Sequence, residues 1–253
     1  MFPEERKNEI LNRVKLGKPV RVGELSQYFG VSESTVRRDL QEMEDSGLIQ
    51  RTHGGAILAQ AGYEQSFREK EVQLLEEKQQ IANLAAAMVQ DGEAVLLDAG
   101  TTTLEIARAL RNRAITIATN SMDIAQIFAE DPHVEVLVLG GTWRKSTRSL
   151  VGYLTNETLN KIHFDKVFLA ANGVDPSLGV TTPNLNEAET KRHMVKAGKE
   201  VILVVDHSKF GQKGLYKICS LEEVDLLLTD AGADEADLAV LQTMVKVVVT
   251  DRI

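Results

Sequence analysis

The stretch Ser32-Glu33-Ser34-Thr35-Val36-Arg37-Arg38-Asp39-Leu40-Gln41-Glu42-Met43 leaves little choice but a capped amphipathic helix. Val36, Leu40 and Met43 recur at i, i+4 and i+7 and define one inward face. Ser32 suits the N-cap, where its hydroxyl takes an unpaired first-turn amide. At about 100° per residue, Ser34, Arg38 and Gln41 fall on the opposite face, with Thr35 and Arg37 on its flanks. Those side chains match base edges and phosphates: Arg pairs bidentately with guanine, Gln with adenine, and Ser and Thr reach either partner. Ser46-Gly47 supplies a C-terminal glycine stop.

An amphipathic helix alone fits a solvated surface equally well, so the neighbouring residues decide. Residues 23–29 read as a short helix with Leu25 and Phe29 inward, and Gly30 offers a positive φ before Ser32. A short helix, a glycine turn and a capped helix make a helix-turn-helix. Residues 48–56 alternate through Ile49, Arg51 and His53 to a double glycine, as expected of a small hairpin wing. Arg51 and His53 would reach the DNA backbone or minor groove from it. Residues 3–16 read as a first helix with Ile10, Leu11 and Val14 inward, and 20–22 as a short strand beside the wing. Lys18 and Arg21 suit phosphate contacts and solvated surface equally.

The motif Ser-x-x-Thr-Val-Arg-Arg-Asp-Leu over 32–40, followed by Arg-Thr-His-Gly-Gly-Ala over 51–56, resembles the winged helix-turn-helix of DeoR-type bacterial transcriptional regulators. The resemblance implies that the site residues for double-stranded operator DNA are Ser32, Ser34, Thr35, Arg37, Arg38, Gln41, Arg51 and His53.

The net charge of −8 runs against DNA binding until it is divided. Residues 1–56 hold nine Lys/Arg and nine Asp/Glu, so the whole excess of acid sits in the remainder. DNA contact then rests on a local basic face, and more than one reading head is needed. With 253 residues the chain has room for two domains. The expected division is a winged helix-turn-helix over 1–56, a connector over 57–77 and an α/β domain over 78–253. One cysteine, Cys219, precludes an intrachain disulfide. No apolar run approaches the roughly 18 residues of a membrane span, and the first residues lack a signal peptide's apolar core. A cytoplasmic protein without membrane association is expected.

Beyond a helix over 76–89, short apolar runs alternate with helices. The runs are 94–97, 115–118, 134–139, 167–170, 201–205, 226–229 and 247–250, and the helices 103–110, 123–129, 155–160, 186–197 and 235–244. This alternation predicts a largely parallel sheet covered on both faces. Ligands in such sheets bind beyond the carboxyl ends of the strands. The loop Asp98-Ala99-Gly100-Thr101-Thr102-Thr103 has a close-approach glycine, helix-start amides and three hydroxyls, a phosphate cradle rather than a plain turn. No Gly-Lys-Ser/Thr follows it, which excludes a Walker loop. Asn120 before Ser121 serves equally as a ligand contact or as part of a cap. Gly140 and Gly141 suit close approach at a strand end, with Arg144, Lys145 and Arg148 able to meet an anion. Trp143 reads as a lid, an interface anchor or core filling. Asp175 follows Gly173, Glu187, Glu189 and Lys191 share one helix, and Lys209 in Asp206-His-Ser-Lys-Phe-Gly211 suits a phosphate better than bare surface.

These loops resemble the C-terminal effector domain of the same family, which is similar to the ribose-5-phosphate isomerase fold and senses phosphorylated sugars. The implied effector residues are Asp98, Gly100, Thr101, Thr102, Thr103, Asn120, Gly140, Gly141, Asp175, Glu187 and Lys209. Two readings follow. One is a repressor of sugar-metabolism genes, a homo-oligomer (dimer or tetramer) released from its operator by a phosphorylated sugar or relative, with no catalytic residue, metal or cofactor. The other is an isomerase-like enzyme with a DNA-binding head, for which Glu187 or Glu189 with Asp175 would supply acid and base.

Overall fold

The computed structural model describes residues 3–15, 20–45, 49–52, 54–58 and 67–250, and the chain divides into two compact units, 1–65 and 66–253. The first holds α1 (Pro3–Lys15), β1 (Val20–Arg21), α2 (Val22–Phe29), α3 (Glu33–Asp45), β2 (Ile49–Thr52) and β3 (Gly55–Leu58). Its antiparallel sheet has the order β1-β3-β2, with Val20 opposite Ala56 and Thr52 opposite Gly55. Gly55 is required there: a Cβ on it would lie 1.7 Å from the Val20 carbonyl oxygen. Gly30 takes φ 64° and closes α2, as the turn demands. Ile10, Val14, Leu25, Val36, Leu40, Met43 and Ile49 form the core where the three helices meet the sheet. Arg6 of α1 grips Asp39 of α3 bidentately, at 2.5 and 3.0 Å, with both side chains buried.

The second unit opens with α4 (Phe67–Val72) and α5 (Leu75–Ala87). There follow β4 (Ala94–Leu97), α6 (Thr101–Ala109), β5 (Ile115–Thr119), α7 (Met122–Ile127), β6 (Val134–Val138), β7 (Thr142–Arg144), β8 (Ser149–Val151) and α8 (Tyr153–Leu159). Next are β9 (Phe164–Leu169), β10 (Gly173–Asp175), β11 (Gly179–Thr182), α9 (Leu185–Ala197), β12 (Gly198–Val204), β13 (Tyr216–Cys219), β14 (Leu226–Thr229), α10 (Glu235–Leu241) and β15 (Val247–Val249). All seven apolar runs enter one parallel sheet, ordered β15-β14-β12-β9-β4-β5-β6. Period-two alternation divides its side chains between two cores. Val95, Leu97, Phe168 and Val204 pack with Ile81, Ala85 and Ile106 of α5 and α6, while Leu96, Val167, Leu169 and Leu203 pack with Ala188, Met194 and Leu241 of α9 and α10. The sequence order reverses between β4 and β9, which places the topological switch point, and hence the crevice, at their carboxyl ends.

Three features depart from the sequence reading. Residues 142–151 form the hairpin β7–β8, and β10-β11-β13 form a separate antiparallel sheet, where loops were expected. Strands of three or four residues carry too little alternation to be read. The stretch read as connector carries the end of β3, all of α4 and the start of α5, and Phe67 of α4 is buried in the α5–α6 core. Among the described residues, no helix is long and apolar enough to cross a membrane.

Candidate functional site

In the first unit α3 presents its polar face as the spacing requires. Val36, Leu40 and Met43 are buried, while Ser34, Arg37, Arg38 and Gln41 are exposed and Thr35 half-buried. Ser32 caps the helix: its Oγ accepts the Thr35 amide at 3.2 Å, and its carbonyl accepts the Val36 amide at 3.1 Å. The Ser34 and Thr35 hydroxyls lie 2.8 and 2.9 Å from the same Oγ. Arg37 pairs with Glu33 one turn back at 3.0 Å, whereas Arg38 has no hydrogen-bond or ion-pair partner among the described residues. Arg51 lies on β2, on the expected wing, and its side chain turns to α3. Its guanidinium donates to Gln41 Oε1, and its amide donates to Glu44 Oε1 at 2.7 Å. Gln41 and Arg51 thus form one polar unit joining helix to wing. His53, Lys18 and the Ser46-Gly47 stop lie outside the described residues.

In the second unit a cleft of about 590 Å³, counted to its mouth, opens at the switch point. One wall is Ala99 to Thr102, which follows β4. Gly100 is needed for closeness, since a Cβ on it would lie 2.8 Å from the Ala170 Cβ. Gly100 supplies no side-chain cap, so the first-turn amides of α6 open onto the cleft beside Thr101 and Thr102. Ala170 to Asn172 after β9, and Val204 to Asp206 with Lys209 after β12, form the second and third walls. Lys209 Nζ donates to Ser208 Oγ at 2.9 Å and lies 3.7 Å from buried Asp206, which caps the short 3-10 turn that carries it.

Glu187 and Lys191, one turn apart on α9, form the base. The Glu187 carboxylate accepts from Thr182 Oγ1 at 3.1 Å, near Ser149 Oγ at 3.5 Å and Arg144 at 3.8 Å. Burial alone would raise its pKa, but Lys191, a Thr147 hydrogen bond, Arg144 and Lys70 outweigh that and hold it below the ordinary value. Lys191 donates to Asp98 Oδ2 and, at 2.9 Å, to the Ala170 carbonyl. Burial pushes the Asp98 carboxyl up against the opposing pull of Lys191. A helix start with open amides, flanked by Lys70, Lys191 and Lys209, offers an anion both hydrogen bonds and charge. The ionised Glu187 offers an acceptor for hydroxyls on the same ligand.

The structure gathers Gly100, Thr101, Thr102, Glu187 and Lys209 around this cleft, and the other proposed effector residues lie behind or away from it. Asp98 and Asn120 line a smaller cavity behind it. Asn120 accepts the Ala99 amide at 2.9 Å and donates to the Leu150 carbonyl at 3.1 Å, fastening the cradle loop to β8. Thr103 is buried and turned back, its Oγ1 donating to the Gly100 carbonyl at 3.0 Å. Gly140 accepts from Thr155 Oγ1 at 2.6 Å, and a Cβ on Gly141 would lie 2.2 Å from the same oxygen, so both glycines seat the hairpin on α8. Asp175 shapes the β10–β11 turn through the Ser177 and Leu178 amides at 2.9 and 3.0 Å, and pairs with Lys213 at 3.1 Å. Glycines and an aspartate at strand ends answer to turn geometry as readily as to ligand. The cleft also recruits Phe67, Lys70, Thr147 and Asn172, which the sequence reading passed over. The lone aromatic in a charged segment was the available sign of Phe67. Trp143 is partly exposed on β7.

Residues 6–61 match the DeoR-like helix-turn-helix domain, and residues 73–231 match the DeoR C terminal sensor domain. The HTH-type transcriptional regulator GlpR of Haloferax volcanii is 42% identical over 236 residues, covering 92% of each chain. The putative aga operon transcriptional repressor of Escherichia coli O157:H7 is 36% identical, over 90% of this chain and 86% of its own. The HTH-type transcriptional repressor GlcR of Bacillus subtilis is 35% identical, over 93% and 92%. Ribose 5-phosphate isomerase A of Methanocaldococcus jannaschii overlaps 54% of each chain with 17% identity and a TM-score of 0.40, too slight a likeness to bear on function. The relatives are named as regulators, not enzymes, and a model of the same family matches each unit: the chain belongs to the DeoR family of helix-turn-helix transcriptional regulators.

Proposed function

We propose that this regulator represses sugar-metabolism genes as a homo-oligomer and is released from its operator by a phosphorylated sugar or a closely related metabolite. The observation that carries this reading is the cleft at the switch point. Open α6 amides and Lys209 face one another there for a phosphate, and ionised Glu187 stands at the base for sugar hydroxyls. Relatives named as an aga operon repressor and, in Staphylococcus epidermidis, a lactose phosphotransferase system repressor support the sugar connection. On the DNA side, Ser34, Arg38, and Gln41 with Arg51 form the reading surface, with Arg37 flanking it. The isomerase-like alternative loses its acid–base pair, because Asp175 lies outside the cleft and Glu189 is engaged by Arg192.

Combining Thr102→Val with Lys209→Ala removes a cradle hydroxyl and the facing cation without touching the first unit. The double variant keeps operator affinity within about twofold and loses at least tenfold in sensitivity to the releasing compound, measured by fluorescence anisotropy. Unaltered release would remove these loops as the phosphate site.

A further inference from the structure

One wall of the cleft belongs to the six-residue helix α4. A helix this short does not hold itself together in water, and its order comes from what it touches. Phe67 at its start is buried, its amide donates to the Ser146 carbonyl at 2.9 Å, and the Arg148 guanidinium stands 5.3 Å from its ring centroid. These contacts fasten α4 to the β7–β8 turn, whose Thr147 lines the same cleft. At the other end, buried Lys78 donates through Nζ to the Lys70 and Gln73 carbonyls, capping α4 from α5. Burial lowers the Lys78 ammonium to about 8, and its charged form is the one that makes a charge-assisted cap. Leu74 takes φ 49°, the left-handed turn between the two helices.

Lys70 is half-buried on α4, lines the cleft, and is one of the charges that hold Glu187 ionised. Along the chain, α4 is also the first described element after the DNA-reading unit, eight residues beyond β3.

We infer that α4 is part of the effector site, with Lys70 contacting the bound phosphorylated ligand, and that it is the element through which occupancy of the cleft reaches the DNA-reading unit. The inference rests on the effector reading above. A ligand that contacts Lys70 and the sheet-backed walls adds contacts to α4, so it favours one arrangement of that helix over others. Only such a difference in affinity between arrangements shifts DNA binding.

The test uses the full chain and a panel of hexose and pentose monophosphates beside inorganic phosphate. Ligand uptake is followed by isothermal titration, operator release by anisotropy, and amide exchange across residues 67–72 by mass spectrometry. In the unaltered protein the active compound slows exchange in α4 at least tenfold. Lys70→Ala weakens its uptake at least tenfold. Inserting Gly-Ser-Gly-Ser-Gly-Ser between Ala61 and Gly62 leaves uptake within twofold, yet raises the concentration for half-release at least tenfold. Exchange in α4 indifferent to the ligand, or normal release by the insertion variant, overturns the role of α4 while leaving the effector reading intact. Native uptake by Lys70→Ala overturns the assigned contact. An unaltered protein that takes up none of the panel overturns the effector reading, and this inference with it.

Discussion

Arg38 is the residue on which the proposed DNA reading turns most directly. It stands exposed at the centre of the polar face of α3 and has no partner among the described residues, so its removal breaks nothing in the fold. Arg38→Ala should cost about 1–3 kcal/mol of operator binding, roughly a five- to 150-fold loss, with the melting temperature unchanged. Near-native operator affinity would refute the groove-face assignment. Asp175 makes a different prediction. Its carboxylate is held down to about 2, first by the Ser177 hydrogen bond and then by Lys213 and the backbone amides, against an ordinary 3.8. A depressed folded pKa contributes stability that is present above the unfolded value and lost as pH falls through the folded one. Asp175→Asn should therefore lower the urea midpoint at pH 7, with the gap to the native protein closing between pH 4 and pH 2. Parallel curves across that range would contradict it. At this scale the structure places Arg38 on the exposed face of α3 and Thr102 and Lys209 on the cleft, where the sequence reading puts them. The sequence was not readable where one residue type serves two purposes: Asp98, Asn120 and Asp175 all carry ligand-like chemistry and all spend it on neighbouring backbone or a lysine.

Among the elements, the legible ones are those with a long period. Three helix-turn-helix helices and seven parallel strands follow from apolar spacing, because each buries a face against a continuous core. The hairpin β7–β8, the small sheet β10-β11-β13 and α4 are too short to show a period, and contacts remote in sequence hold them. The Arg6–Asp39 pair is another such contact, 33 residues apart and absent from any local pattern. It fixes α3 against α1 from beneath the reading face. Asp39→Ala leaves a buried guanidinium uncompensated and should destabilise the first unit by about 3–5 kcal/mol. Thermal unfolding of the variant checks this. A loss under 1 kcal/mol would show that the pair is not buried in solution.

Across the whole molecule, charge and site chemistry are divided between the two units. Residues 1–56 are neutral in sum and offer DNA only a small local basic face, while the excess acid sits in the rest of the chain. One such face gives modest affinity, so the proposed operator binding calls for paired heads, as in the homo-oligomer proposed above. The second unit also holds the cleft, and the coupling between the two is the central claim. Anisotropy binding of the full chain to the DNA upstream of its own gene, at fixed salt, with and without the sugar-phosphate panel, tests it most directly. The account predicts tight, specific binding that one phosphorylated compound weakens at least tenfold. Tight binding that no phosphorylated sugar alters would contradict it.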